Sequence, residues 1–181
     1  MRFLGIDQSL RATGLCRLNG DGAVTASATV TTGDLRDGER LSFIRRAVMG
    51  LLDGVTFATI EGYSYDSVGR VFELGEVGGV IKLTLVEREV PYIVVPPVLV
   101  KKYATGNPMA TKEQVIAAAR AGSFEPGDDN QADAFFLAHI ARACSIDVAR
   151  YRRELEVLRT LREPRRKKTV RRVRRLIKAA V

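Results

Sequence analysis

The 181-residue sequence predicts an α/β fold: a mixed sheet with its first three strands antiparallel and its later strands parallel, flanking helices, and a basic helical C-terminal tail. Three observations carry this. An apolar run, Phe3, Leu4 and Ile6 around Gly5, is followed by Leu15, Cys16 and Leu18 and then by Asn19-Gly20-Asp21-Gly22, which reads as strand, strand and tight hairpin. From residue 39 onward, segments with apolar residues at threes and fours alternate with two short apolar runs, the pattern of strands joined by helical crossovers. Beyond Arg150 the composition turns abruptly cationic.

Residues 23–32, rich in Val and Thr, complete the opening meander as a third strand. Gly33 and Asp34, with Asp37 and Gly38 behind them, break it. Residues 39–52 place Leu41, Ile44, Val48, Leu51 and Leu52 on one helical face, with Arg40, Arg45 and Arg46 on others, and Asp53-Gly54 ends the helix. Residues 55–60 form a short strand that closes on Glu61. Residues 67–89 read as one long helix, yet Gly75, Gly78 and Gly79 each cost it roughly 1 kcal/mol against alanine. Another backbone is therefore expected to approach there, either the protein's own sheet or a second copy of the chain. Pro91 stops this helix, residues 92–95 make a strand, and residues 98–103 a short helix. Thr111 and Gln114 form a capping box that opens a helix through Arg120, and a last body helix is expected over residues 130–146.

The length suits one domain with an appendage, and a hydrophobic fraction of 46% with no run near the ~20 apolar residues of a membrane span excludes a membrane protein of the helical kind. The chain enters a strand at once, so no leader peptide is expected. Cys16 and Cys144 lie far apart without metal spacing and read as reduced thiols of a cytoplasmic protein. Residues 150–181 carry a net charge of +11 against +8 for the whole chain, which leaves −3 on residues 1–149. A mildly acidic body, residues 1–147, is thus joined to a basic segment, residues 148–181, suited to a polyanion.

Acidic residues mark three places. Asp7 closes the first strand, where it either caps the following turn or awaits a cation, because an unpaired buried carboxylate is costly. Glu61 closes the second apolar strand. Asp128, Asp129 and Asp133 cluster at the start of the last helix; the first two would also favour a helix N-terminus on dipole grounds. Asp129 and Asp133, four apart, point from one helical face and repel unless a cation lies between them. An all-oxygen set of this size suits Mg²⁺ or Mn²⁺.

The order of these motifs resembles the RuvC family of junction resolvases, within the ribonuclease-H-like superfamily, from residue 1 to about residue 143. Gly5-Ile6-Asp7 with Thr13-Gly14 is similar to the first family motif, Ile60-Glu61 to the second, and Leu74-Gly75 with Gly78-Gly79 to the stretch that follows it. Lys101 and Lys112 match the family's two lysines, and Gln131-Ala132-Asp133-Ala134 resembles its closing helix. The resemblance implies a ribonuclease-H-like catalytic domain and a homodimer paired through the 67–89 helix. It also implies two Mg²⁺ per site, with Mn²⁺ substituting, held by Asp7, Glu61, Asp129 and Asp133. The bacterial three-residue spacing would put the fourth ligand at Asn130; Asp129 is the assignment here, with Asp128 and Asn130 as alternatives. The implied substrate is branched DNA, four-way junctions above all, nicked in symmetric pairs. Lys101, Lys102 and Lys112 would contact its phosphates. Tyr63 and Tyr65 flank Ser64, where bacterial members carry a base-stacking aromatic. The basic tail departs from the bacterial pattern and would be at home in a bacteriophage, acting in the host cytoplasm.

In that tail, Arg165, Arg166, Lys167, Lys168, Arg171, Arg172, Arg174 and Arg175 meet no acid, and Val170, Val173 and Ile177 form a thin apolar stripe without the aromatics of a membrane-surface helix. Nucleic acid is the expected partner, and no nucleotide cofactor or membrane is. The lone histidine, His139, lies on a different helical face from Asp133, and no second histidine or paired Ser or Cys supports a nucleophilic triad. Two rivals remain at this level: a broader nuclease for flaps, forks and three-way junctions, and a junction-binding protein that does not cleave. A kinase of the actin-like fold would need a second, duplicated domain.

Overall fold

The opening apolar run becomes the middle of a sheet. In the computed structural model, which describes residues 1–63 and 71–163, β1 (Arg2–Asp7), β2 (Ala12–Asn19) and β3 (Val24–Thr31) form the antiparallel meander. β4 (Val55–Glu61) pairs with the other side of β1 in parallel, and β5 (Tyr92–Val95) pairs with β4 in the same sense. The order is β3-β2-β1-β4-β5. The mixed sheet read from the sequence is the one observed. In the first hairpin, Asn19 Oδ1 accepts from the backbone N–H of Asp21 and Ala23 (3.1 and 2.9 Å), so the side chain closes the turn.

Both faces of the sheet are covered, as its parallel half requires. On one face lie α1 (Asp37–Leu51) and α2 (Val71–Glu87), burying Ile44, Val48, Val77, Ile81 and Leu85 against Leu4, Ile6, Leu15 and Ile60. On the other lie α3 (Pro97–Thr105), α4 (Lys112–Ala121) and α5 (Asp129–Ile146), whose Ala134, Leu137, Ala138 and Ile140 are buried with Cys16 and Leu18. The capping box holds: Thr111 Oγ1 accepts from Gln114 N, and Gln114 Oε1 accepts from Thr111 N. α5 begins one residue earlier than expected, because Asp128 caps it by accepting from Gln131 N at 2.9 Å.

The core extends beyond the 147/148 boundary expected from the sequence. α6 (Arg152–Arg162) folds back onto α3, with Val157 and Leu158 buried and Lys102 Nζ 3.1 Å from Glu156 Oε2. Arg152, Arg159 and Arg162 lie on the exposed side of an amphipathic helix whose Val157 and Leu158 are buried against the body. The run from Arg165 to Arg175 lies outside the described residues, as do residues 67–70 at the start of the expected long helix.

Candidate active site

Strand geometry aims the two strand acids the same way. Alternate side chains point to opposite faces, so with Leu4 and Ile6 turned to α1 and α2, Gly5 and Asp7 face α5. The same alternation in β4 turns Ala58 and Ile60 to the first face and Thr59 and Glu61 to α5, and Thr59 Oγ1 donates to Leu137 O at 2.6 Å. Because Ile6 pairs with Ile60 in the parallel ladder, Asp7 and Glu61 emerge side by side. Gln8 adds a clamp: its Nε2 donates to Glu61 O at 2.7 Å, tying the two strand ends together.

Two glycines bring α5 down onto these acids. A Cβ at Gly5 would collide with the backbone of Ala134 and Ala138, and one at Gly14, which pairs with Asp7 across the β1–β2 ladder, would collide with Asn130 O. The helix therefore lies on bare strand backbone. That contact places Asp133 and Asp129, one turn apart on α5, over the ends of β1 and β4.

The charges press on one another. Asp7 is 7% exposed. Burial, the charges of Glu61, Asp133 and Asp129, and a hydrogen bond to Glu61 all hold its pKa well above the ordinary carboxylate value. Burial also raises Glu61, against the opposing effects of Asp7's hydrogen bond and the Lys101 ammonium. Burial, then Glu61 and Asp129, push Asp133 up to about 7, with Lys101 and Lys112 acting the other way. Lys112 Nζ sits directly on Asp129 Oδ2, which raises the lysine pKa.

The set fits a hard divalent cation. Among the described residues, the charged groups that act on Asp7 are carboxylates, no histidine or cysteine joins them, and the side-chain counter-ions acting on the cluster's shifted acids are two lysines, Lys101 and Lys112. Among the described residues no three acidic, histidine or cysteine side chains converge tightly enough to grip an ion in the rotamers they hold, so closing a cage would require side-chain rotation.

Asp7, Glu61, Asp129, Asp133, Lys101 and Lys112 are thus brought together from β1, β4, α5, α3 and α4. Asp128 is not free for this work: besides its capping bond it accepts from Thr29 Oγ1 at 2.6 Å. Lys102, expected at phosphate, instead pairs with Glu156. Tyr63 is 38% exposed, its ring 5.1 Å from Lys82 Nζ and its hydroxyl against Gly78. Gly78 is the glycine of α2 that a close approach requires, and the approaching group is this chain's own tyrosine. Gly75 and Gly79 face open space. Tyr65 lies outside the described residues. Gln8 and Lys82 were not foreseen; a polar residue after a strand acid and a lysine on a helix carry no distinguishing pattern.

The profile of the family described as crossover junction endodeoxyribonuclease RuvC matches residues 3–139, most of the chain and all six clustered residues. The chain belongs to the RuvC family. A curated RuvC from Prochlorococcus marinus (strain MIT 9211), a crossover junction endodeoxyribonuclease, is 27% identical over 147 residues, covering 76% of this chain and 93% of that one. The solved RuvC of Thermus thermophilus superposes with a TM-score of 0.68 at 24% identity over 81% of this chain and 97% of its own. The T. thermophilus RuvC solved in complex with a Holliday junction substrate gives 0.67 at 24%, over 76% and 90%. This RuvC member shares their fold, and α6 follows the matched segment.

Proposed function

We propose that the chain is a homodimeric, metal-dependent endonuclease that resolves four-way DNA junctions by paired symmetric nicks. The observation that carries this is the gathering of Asp7, Glu61, Asp133 and Asp129 at the ends of two strands and one helix, with Lys101 and Lys112 acting on them. These four carboxylates would hold divalent cations, Mg²⁺ with Mn²⁺ as a substitute and two per site, which would supply an activated water and charge neutralisation at the departing 3′ oxygen. Asp7 and Glu61 provide the rigid, buried part of that grip, and Gln8 keeps Glu61 in line. Asp129, now paired with Lys112, would have to give up that lysine to hold a cation. Lys112 and Lys101 would then be free to contact the scissile phosphate and offset the charge that builds on it, with 5′-phosphate and 3′-hydroxyl ends as products. Tyr63, with Tyr65, offers a stacking surface to a base opened at the crossover.

A stripe on α2 supports the dimer: Phe72, Leu83 and Val86 are 91%, 56% and 61% exposed, and Gly75 and Gly79 on the same helix leave room for a close neighbour. The two-fold axis would then set two sites against opposite strands. The basic run from Arg165 to Arg175 would grip flanking phosphates, and the enzyme would work in the cytoplasm. The test uses end-labelled four-way, three-way, 5′-flap and duplex DNA with Mg²⁺ or EDTA. Paired nicks confined to the four-way junction and abolished by EDTA are expected. Comparable cutting of flaps and three-way forms would replace this reading with a general debranching nuclease, and binding without cutting would replace it with an architectural role.

A further inference from the structure

Beyond the acid-bearing start of α5 lies a cavity of about 520 Å³, walled by the end of α3, by α4, by α5 from Phe135 to Ala143 and by residues 148–154. The last of these walls follows the family-matched segment, so the cavity is not a feature of the matched residues alone. Its size is that of sites for small organic ligands.

The lining divides into a flat apolar part and a cationic part. Phe135 stacks on Phe124 (ring centroids 4.9 Å apart) and takes the His139 imidazole edge-on at 4.4 Å. Ala117, Ala118, Ala121 and Ala143 leave open space beside these rings instead of filling it. Three guanidinium groups border the same space. Arg142 is anchored through Nε to Gly20 O at 2.8 Å, and Arg153 lies over the Tyr151 ring at 4.1 Å with its Nε toward Tyr103 O. Arg150 is exposed. One acid lines the cavity, Glu154, and its carboxylate already accepts from the backbone N–H of Arg150 and Tyr151. Burial first, then Arg150 and Arg142, lower the His139 pKa to about 4, and no hydrogen bond contributes.

From this juxtaposition of an aromatic floor with an arginine rim, we propose a second ligand site that takes a nucleoside 5′-phosphate unit: the base between the Phe135–His139 edge and the alanine wall, the phosphate on Arg142 and Arg150. Planar, forked guanidinium groups match phosphate oxygens, and the rings supply a face for any base. The unit can come from a free mononucleotide or from an unpaired nucleotide of a DNA strand. The site stands apart from the proposed metal centre and does not depend on it.

His139 is the chain's single histidine, so its imidazole signal in a ¹H–¹⁵N spectrum of the full-length protein is an unambiguous reporter. The probes are dAMP, dTMP, deoxyadenosine, inorganic phosphate and a short oligothymidylate, each titrated without metal. A mononucleotide is expected to move the signal saturably and raise the imidazole pKa, with phosphate or nucleoside alone at least about tenfold weaker. Arg150→Gln, at an exposed position outside any helix, is expected to weaken the mononucleotide about tenfold with the backbone amide spectrum of the free protein, and so its fold, unchanged; Ala118→Phe, filling the cavity, is expected to abolish the shift. A free mononucleotide stronger than the oligonucleotide assigns a free ligand, and the reverse assigns a strand nucleotide. No movement with any probe up to about 5 mM, equal binding of phosphate, or an Arg150→Gln protein that binds as wild type would overturn the proposal.

Discussion

The two ends of α5 pose opposite electrostatic problems. At its start, burial and neighbouring carboxylates drive Asp7 and Asp133 toward their protonated forms; six residues on from Asp133, burial and the charges of Arg150 and Arg142 drive His139 toward its neutral form. Each end discourages the charge its own side chain would carry in water. One therefore favours an added cation and the other an added anion. The two ends are also built differently: the acidic end is held by backbone lying on glycine, the basic end by aromatic rings beside alanines that leave a cavity. Dense packing fixes groups around an ion, whereas open packing admits a molecule.

The largest effect expected at the acidic end is loss of chemistry. Asp7→Asn should lower junction cleavage by about 10³-fold or more while gel-shift binding persists, since one oxygen ligand and its charge are removed. A protein that still cleaves near the wild-type rate would break the metal assignment. Gly5→Ala comes next. Its methyl meets backbone, not a side chain that can turn away, so a loss of about 3 kcal/mol or more is expected in urea unfolding. Little change would mean that α5 shifts freely, and the close approach would lose its meaning.

The pH dependence of stability sharpens the contrast further. Between about pH 4 and 7 the metal-free folded protein holds a proton on Asp133 that the unfolded chain releases, so this group makes stability fall as pH rises. His139 does the reverse: between its folded value of about 4 and the ordinary 6.5, the unfolded chain binds the extra proton, and stability rises with pH. Asp133→Asn should thus turn the slope of unfolding free energy against pH upward, and His139→Gln should turn it downward, each by up to about 1.4 kcal/mol per pH unit. Slopes that move together would show that the two ends are not opposed. Smallest at the level of cleavage, deleting residues 164–181 should leave nicking intact but flatten the salt dependence of binding by about 0.9 per lost phosphate contact on a log–log plot.

Much of this was legible in the sequence because it rests on periodicity. The short apolar runs ended by Asp7 and Glu61, the capping box at Thr111 and the four-residue step from Asp129 to Asp133 are local patterns, and local patterns survive into the fold. What was not legible depends on which elements meet. Gly5 and Gly14 belong to a recognisable motif, but only the crossing of α5 shows that they admit a helix. Lys102 looks like its neighbour Lys101 until α6 offers it Glu156, about 100° further round the same helix. The basic composition after Arg150 concealed Val157 and Leu158, which are core residues. The cavity has no sequence signature at all, because its four walls come from separated segments.

The seating of α5 on Gly5 and Gly14 also bears on how the site drifts under mutation. Where elements are spaced by interlocking side chains, each substitution in the layer between them resets the gap by a fraction of an ångström, and such errors accumulate along the stack. Here the dimension from strand acid to helix acid passes through main chain alone, with no rotamer in between. The interior around Ile44, Val48 or Ile81 can therefore be rewritten while that one length stays fixed.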